Sequence, residues 1–319
     1  MNNRIKLLTV LYFLIIVCCN PIIAQNKKEI LWTTEWSPNG KFIAIGGNID
    51  SLLIYNSDLQ LHKTFPVKNT ITRVKWHPTK NIIGVVTQVS SEKSFILNLD
   101  SNEKIELTGI SPDGARGIDW NFTGEYLAVA DNDGQILIYD IKGELIRKFV
   151  NQSNSTKGIT AVAWHPKKNM LTTVTDQIRF FDNEGNLIKS IKHRPEEVLL
   201  LSIAWHKSGE FFVTGDYGDE KDKSLLQYWN EQGELLKTID ISIGEYRNLS
   251  WNPDGSRLAS ASDVLRIWDK KGNLISVGNS KDYLWGVSWN KMGNKIITSS
   301  TQQRITLWNK KAEEITTVE

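Results

Sequence analysis

Acidic clusters and histidines are the residues of this 319-residue chain best suited to chemistry. The densest acidic stretch consists of Asp216, Asp219, Glu220 and Asp222. Oxygen ligands at such close spacing suit calcium. Lys221 and Lys223 interrupt the stretch, however, and it matches no calcium-loop pattern. We therefore favour a solvated loop over a cation site.

The five histidines do not form a metal-binding pattern. His77, His165 and His206 each follow a tryptophan in a different part of the chain, while His62 and His193 stand alone. A metal site needs ligands that converge. Nucleophile-elbow, phosphate-loop and paired-carboxylate motifs are also missing. We therefore predict no metal site, no cofactor and no catalytic residues, and hence a protein that is not an enzyme.

The elements that must position any functional side chain are set by a repeat of tryptophan. Seven of the twelve tryptophans act as anchors, separated by 40, 44, 44, 41, 46 and 38 residues. These anchors are Trp36, Trp76, Trp120, Trp164, Trp205, Trp251 and Trp289. A residue able to bond its own turn follows each of them: Ser37, His77, Asn121, His165, His206, Asn252 and Asn290. Each anchor therefore ends one strand and opens a tight turn.

Residues 251–275 are the best-preserved copy of the repeat. After the anchor come a Pro-Asp-Gly turn, an apolar run, a tight turn at Ser262 and Asp263, and a second run that ends in Trp268 and Asp269. A further turn at Gly272 leads into another apolar segment. Helical periodicity is nearly absent along the chain. Each unit is therefore predicted to hold four short strands joined by tight turns.

With these units the chain resembles the WD-repeat family of β-propellers over nearly all of its length. The resemblance implies an all-β fold, a seven-bladed β-propeller of four-stranded antiparallel blades spanning residues 25–319. Two departures stand out. The family's Gly-His dipeptide is missing, and its tight-turn aspartate is clear only at Asp133 and Asp263. We therefore expect aromatic packing in place of the family's buried hydrogen-bond network.

The closure of the ring is also predicted. Residues 314–318 can supply the fourth strand of the seventh unit, so no strand remains to be exchanged between the two ends. We expect a ring without a shared-blade clasp, held by packing of the first unit on the seventh. Pairing of residues 25–30 as the outer strand of the last blade would contradict this.

The resemblance implies a partner-binding face at the starts of the inner strands. Four residues before the anchors stand Trp32, Thr72, Arg116, Thr160, Leu201, Arg247 and Trp285. Trp32 and Trp285 belong to units that must be neighbours in a closed ring, and Tyr283 precedes Trp285 by two residues. Aromatic residues with arginine are typical of binding hot spots. The candidate partner-binding residues are therefore Trp32, Arg116, Arg247, Tyr283 and Trp285. The alternative is that both tryptophans only pack where the ring closes.

Charged residues also stand one position before three anchors, namely Glu35, Lys75 and Asp119. In a propeller these side chains would line the central channel. We interpret them as a structural ion-pair set of modest energetic value.

The N-terminus resembles a secretory signal. Arg4 and Lys6 precede the apolar run of residues 7–17, and Ala24 offers a cleavage position. Residues 1–24 are therefore predicted to be a signal peptide, with lipidation at Cys19 or an uncleaved anchor as alternatives. Cleavage would remove both cysteines and leave 36 basic against 36 acidic residues. That balance gives no electrostatic case for nucleic acid.

Two classes of function remain open. The first is an exported, monomeric, non-catalytic scaffold, periplasmic or secreted, that binds a protein or peptide. The second is a small-ligand binder or hydrolase that uses the channel mouth, where Arg116 and Arg247 would grip an anionic group. Convergence of both arginines on one pocket beside a carboxylate would favour the second class.

Overall fold

The computed structural model describes residues 29–89, 93–151, 158–218 and 224–319. These residues form seven four-stranded antiparallel sheets, and none of them lies in a helix. Consistent with this, the described part of the chain offers no helix able to cross a membrane. The predicted all-β class and blade number are confirmed.

The strands are numbered in chain order, four to a blade. Blades one to four contain β1 (Thr33–Trp36), β2 (Phe42–Gly46), β3 (Ser51–Asn56), β4 (Leu61–Pro66), β5 (Ile71–Trp76), β6 (Ile82–Thr87), β7 (Phe95–Asn98), β8 (Glu103–Glu106), β9 (Ala115–Trp120), β10 (Tyr126–Asp131), β11 (Gln135–Asp140), β12 (Leu145–Val150), β13 (Ala161–Trp164), β14 (Leu171–Val174), β15 (Ile178–Phe181) and β16 (Leu187–Ile191). Blades five to seven contain β17 (Leu200–Trp205), β18 (Phe211–Asp216), β19 (Ser224–Asn230), β20 (Leu235–Ser242), β21 (Asn248–Trp251), β22 (Arg257–Ala261), β23 (Leu265–Asp269), β24 (Leu274–Gly278), β25 (Leu284–Trp289), β26 (Lys295–Ser300), β27 (Ile305–Asn309) and β28 (Glu314–Val318).

The inner strands form a closed ring around a central channel. Each inner strand contacts the inner strand of the next blade, and β25 contacts β1. All four strands of the seventh blade come from residues 284–318, so the ring closes without a shared-blade clasp, as predicted. We call the contact between the first and seventh blades the closure seam.

The hydrophobic core lies between neighbouring blades. At the closure seam, Ile43 and Ile45 of β2 pack with Ile297 of β26 and Leu307 of β27. The outer strands are exposed on alternate residues, as in β12. Because each sheet buries its two faces against two neighbours, a blade is stable only as part of the ring.

The anchor turns form as the sequence predicts. In the sixth blade, Asn252 Oδ1 accepts a hydrogen bond from the backbone N–H of Arg257 at 2.9 Å. In the first blade, Ser37 Oγ accepts one from Phe42 N–H at 2.9 Å. Each such bond closes the hairpin between the inner strand and the second strand.

Three histidines also link their blade to the next one. In each, Nδ1 accepts backbone N–H groups of its own turn, while Nε2 lies about 3 Å from a glycine carbonyl of the following blade. The linked pairs are His77 with Gly124 (3.1 Å), His165 with Gly209 (3.1 Å) and His206 with Gly255 (3.0 Å). This geometry requires the neutral ring with its proton on Nε2, since Nδ1 must act as an acceptor.

A second type of link uses the residue before the anchor. Its side-chain oxygen accepts a hydrogen bond from the backbone N–H of the anchor in the next blade. The pairs are Glu35 with Trp76 (2.6 Å), Asp119 with Trp164 (2.8 Å), Ser250 with Trp289 (3.2 Å) and Ser288 with Trp36 (3.1 Å). Each of the seven interfaces between neighbouring blades therefore has a link of the first or the second type.

One expectation is wrong in the fifth blade, where a buried hydrogen-bond network does form. His193 Nδ1 lies 3.1 Å from Thr214 Oγ1, and its Nε2 lies 3.1 Å from Asp216 Oδ2. Thr214 Oγ1 also accepts the indole N–H of Trp229 at 2.8 Å. The sequence search missed this network because His193 follows Lys192 where the family has glycine. Indole bonds to Ser260 (2.9 Å) and Thr298 (2.8 Å) recur in blades six and seven.

Candidate functional site

One mouth of the central channel is formed by the residues that stand four positions before the anchors. A small cavity there is lined by Trp32, Thr72, Arg73, Arg116, Thr160, Leu201, Arg247 and Trp285. We call this set the channel mouth. It contains one residue of that register from each of the seven blades, together with Arg73. The prediction that these positions share one face is therefore confirmed.

Trp32 and Trp285 contact each other across the closure seam. Their ring centroids lie 4.8 Å apart, with an angle of 42° between the planes. Just below them, the backbone N–H of Leu31 donates to the carbonyl of Ser300 at 3.1 Å. The two tryptophans therefore pack at the closure seam and also form one wall of the channel mouth.

Both predicted arginines converge on this aromatic wall. The guanidinium carbon of Arg247 lies 3.9 Å from the ring centroid of Trp285, and that of Arg116 lies 5.8 Å from the ring centroid of Trp32. Glu245 Oε2 pairs with Nε and Nη2 of Arg247 at 2.8 and 2.7 Å. Burial, and then the charge of Arg247, lower the pKa of Arg116. The mouth is thus aromatic and positively charged.

Tyr283 lies outside the channel mouth. It is 48% exposed and lines a neighbouring groove of about 390 Å³. We call this the aromatic groove, and it is lined by Tyr217, Ser224, Ile243, Gly244, Glu245, Tyr283, Trp285 and Thr301. Trp285 and Arg247 connect the two features, since Trp285 lines both and Arg247 lies 5.8 Å from the ring centroid of Tyr217.

Sequence reasoning missed Arg73. It stands three positions before its anchor, one residue after the position that the other lining residues share, yet it lines the channel mouth. Burial is the main cause that lowers its pKa to about 10, with the charge of Glu35 opposing and that of Arg116 adding to the effect. The signal available in the sequence was the alternation of charged and apolar residues in Arg73, Val74, Lys75 and Trp76.

The predicted channel charges form a structural triad. Lys75 Nζ lies 2.9 Å from Glu35 Oε1 and 3.5 Å from Asp119 Oδ1, which joins the first three blades. Burial alone would lower the pKa of Lys75, but the two carboxylates outweigh it and raise the pKa. Both carboxylates also accept anchor N–H groups, so they help to join neighbouring blades.

The acidic stretch after β18 is described only in part. Asp216 is buried and pairs with Arg194 at 2.6 Å, whereas Asp219, Glu220 and Asp222 lie outside the described residues. Within the described ranges, no three histidine, cysteine or acidic side chains group so that they could hold a metal ion.

Comparison with known proteins defines the class of protein that this ring and mouth belong to. Residues 32–202 match the family model of the WDR19 first β-propeller, and residues 134–287 match that of eukaryotic translation initiation factor eIF2A. The first match covers more than half of the chain. The chain belongs to the WD-repeat β-propeller family.

Three individual relatives are also similar to this chain. Minichromosome loss protein 1 of Schizosaccharomyces pombe is 27% identical over 252 residues, covering 74% of this chain and 28% of that protein. Intraflagellar transport protein 122 homolog of Mus musculus is 25% identical over 238 residues, covering 71% and 18%. F-box-like/WD repeat-containing protein TBL1X of Mus musculus is 36% identical over 130 residues, covering 36% and 24%. The chain thus spans less than a third of the length of each of these relatives.

Proposed function

We propose that this protein is an exported, non-catalytic scaffold that binds a protein or peptide at the channel mouth. The observation that supports this most directly is the stack of Arg247 on Trp285, whose ring also contacts Trp32. Rigid aromatic rings and arginine supply most of the energy in typical protein interfaces. Membership of the WD-repeat family is consistent with the proposal.

The test is selection of peptides from a random library by the immobilised protein. We expect Trp285→Ala and Arg247→Ala to remove most of the selected binding, because each removes one half of the stack. Leu236→Ala is the matched control, since Leu236 is 58% exposed on β20, far from the mouth. Selection that is unchanged in both mouth variants would reject the proposed site.

A small anionic ligand at the same mouth is the second candidate. It is favoured by the convergence of Arg116 and Arg247 on one cavity beside Glu245. Calorimetric titration with small carboxylates and phosphates separates the two candidates. Tight binding of a free small molecule, together with no selection of peptides, would favour this candidate over the scaffold.

Export is proposed from the sequence of residues 1–24, which lie outside the described residues. Intact-mass measurement of the mature protein tests it. A chain that begins at Gln25 supports the signal peptide, a lipid on Cys19 supports a membrane tether, and an intact N-terminus supports an uncleaved anchor. Light scattering tests the monomeric state that we propose with it.

A further inference from the structure

Three arginines share the channel mouth, and of these only Arg247 makes a salt bridge within the described ranges. Glu35 and Asp119 act on Arg73 only through their charge, without direct contact. Arg73, Arg116 and Arg247 line a cavity of about 40 Å³, which is room for one small chemical group. Glu245 is the acid paired with them, and it occupies Nε and Nη2 of Arg247. An unpaired cluster of this kind is costly to maintain, because like charges repel in a partly buried site.

Three other arginines of the protein are paired with acids. Arg179 pairs with Asp176 at 2.8 Å, Arg266 with Asp263 at 2.6 Å and Arg304 with Asp282 at 2.7 Å. In contrast, the guanidinium groups of Arg73 and Arg116 make no salt bridge or hydrogen bond within the described ranges. These three arginines therefore have acidic partners, whereas Arg73 and Arg116 do not.

Hydrogen-bond donors at the mouth also lack acceptors. Arg116 Nε and Trp32 Nε1 are buried with no partner in the described part of the chain. The threonine hydroxyls are already engaged, since Thr72 Oγ1 lies 2.6 Å from the carbonyl of Ala115 and Thr160 Oγ1 lies 2.6 Å from that of Leu200. The mouth thus presents unmatched donors and positive charge, which suits a group with several acceptor oxygens.

The aromatic groove leads away from this cavity. Tyr217 and Tyr283 are each 48% exposed there, and Ile243 is 76% exposed. Exposed apolar side chains that adjoin a charged pocket are typical of peptide-binding surfaces. A ligand that fits both features has one acidic group and an adjoining apolar or aromatic stretch.

We propose that the channel mouth receives a carboxylate of the partner peptide, held by Arg73, Arg116 and Arg247, while the neighbouring apolar residues of that peptide lie in the aromatic groove. This rests on the proposed function and specifies its ligand. The carboxylate comes from a C-terminus or from an aspartate or glutamate side chain.

The experiment uses the full-length protein and a random peptide library made in two forms, one with a free C-terminal acid and one amidated. If the C-terminus is the source, peptides are selected from the acid form and lose at least tenfold in affinity on amidation. If a side chain is the source, both forms give peptides with an acidic residue at a fixed position. Selected peptides without a preferred acid would overturn the proposal.

Charge variants separate binding from folding. We expect Arg73→Gln and Arg116→Gln each to lower peptide affinity at least tenfold, and Glu245→Gln to raise it, because Arg247 is then released. Arg116→Gln should leave Tm unchanged or higher, since it relieves repulsion from Arg247. Unchanged affinity in both arginine variants, or a lower Tm with unchanged affinity in Arg116→Gln, would overturn the proposal.

The failure of this inference differs from the failure of the proposed function. If Trp285→Ala abolishes peptide selection and the arginine variants do not, the proposed peptide-binding function is supported and carboxylate recognition is rejected. If Trp285→Ala leaves peptide selection unchanged, both peptide binding at the channel mouth and carboxylate recognition are rejected.

Discussion

At the scale of single residues, the histidines that follow three anchors stabilise the ring in their neutral form. Burial is the first cause that lowers the pKa of His77, His165 and His206. The unfolded chain binds protons on these rings below pH about 6.5, while the folded chain resists them. Stability from these groups is therefore present above that pH and is lost as the pH falls.

We predict that His206→Asn costs about 1 kcal/mol at pH 7, because asparagine keeps the turn but cannot reach Gly255. The loss of Tm between pH 7 and pH 5 should also become smaller in the variant, since one group that resists protonation is gone. Thermal melts across that range measure both effects. An unchanged pH slope would show that His206 does not contribute to acid sensitivity.

At the scale of elements, the two types of inter-blade link replace each other. Histidine links occur where the residue before the anchor is Lys75, Ala163 or Ala204, none of which has a side-chain acceptor. Where that residue is glutamate, aspartate or serine, it accepts the N–H of the next anchor itself. Each inner strand and the turn that follows it thus supply one link to the next blade, from one side of the anchor or the other.

We predict that adding Ala204→Ser to His206→Asn restores most of the lost stability. The double variant has the residues of the sixth blade, where Ser250 Oγ accepts Trp289 N–H at 3.2 Å. Chemical denaturation of the wild type, both single variants and the double variant measures the coupling. Strictly additive effects would mean that the two link types are independent.

The turn between β17 and β18 gives a second prediction at this scale. Gly209 has φ 75°, and a Cβ there would lie 2.6 Å from the His165 ring. Gly134 has a similar φ of 80° with no atom within 4 Å of its Cβ position. We expect Gly134→Ala to cost about 1 kcal/mol through backbone strain and Gly209→Ala about 3 kcal/mol.

Equilibrium unfolding of both alanine variants checks this difference. In a His165→Ala background the cost of Gly209→Ala should approach that of Gly134→Ala. Equal costs in the presence of His165 would contradict the proposed clash.

At the scale of the whole molecule, no strand is shared across the closure seam, so side-chain packing must stabilise it beside the backbone bond between Leu31 and Ser300. We predict that Trp32→Ala costs about 2 kcal/mol without any ligand, as expected for truncating a half-buried tryptophan. Hydrogen exchange should quicken first in blades one and seven. Met292→Ala is the control, since Met292 is 79% exposed. Unchanged stability would show that Trp32 does not stabilise the closure seam, which would leave partner binding as its only proposed role.

The ring was largely predictable from the sequence because local chemistry fixes it. The anchor spacing gave the number of blades, and turn formers such as Asn252 gave the hairpins. The fifth-blade network was missed because His193 meets Thr214 only through tertiary packing. Likewise, the link from His206 to Gly255 joins residues 49 positions apart, so no local pattern reveals it.

The channel mouth was predicted in part. The register four residues before the anchors identified seven of its eight lining residues, since equivalent positions of a repeat converge on the axis. Arg73 was missed because one step along a strand normally turns a side chain to the other face. In β5, however, the pairing with β6 shifts register between Ile71 and Arg73, and Arg73 lines the mouth together with Thr72. Tyr283 was predicted as a partner-binding residue of the same face, and it lines the neighbouring aromatic groove.

The inter-blade links also bear on how the repeats can diverge. In both types, one blade supplies a side chain and the other supplies only backbone, a carbonyl for histidine and an anchor N–H for glutamate, aspartate or serine. No matched pair of side chains has to change together. The sequence of each unit can therefore diverge, or the unit can be duplicated beside a new neighbour, while its inter-blade hydrogen bond is kept. This allows seven dissimilar repeats to remain one ring.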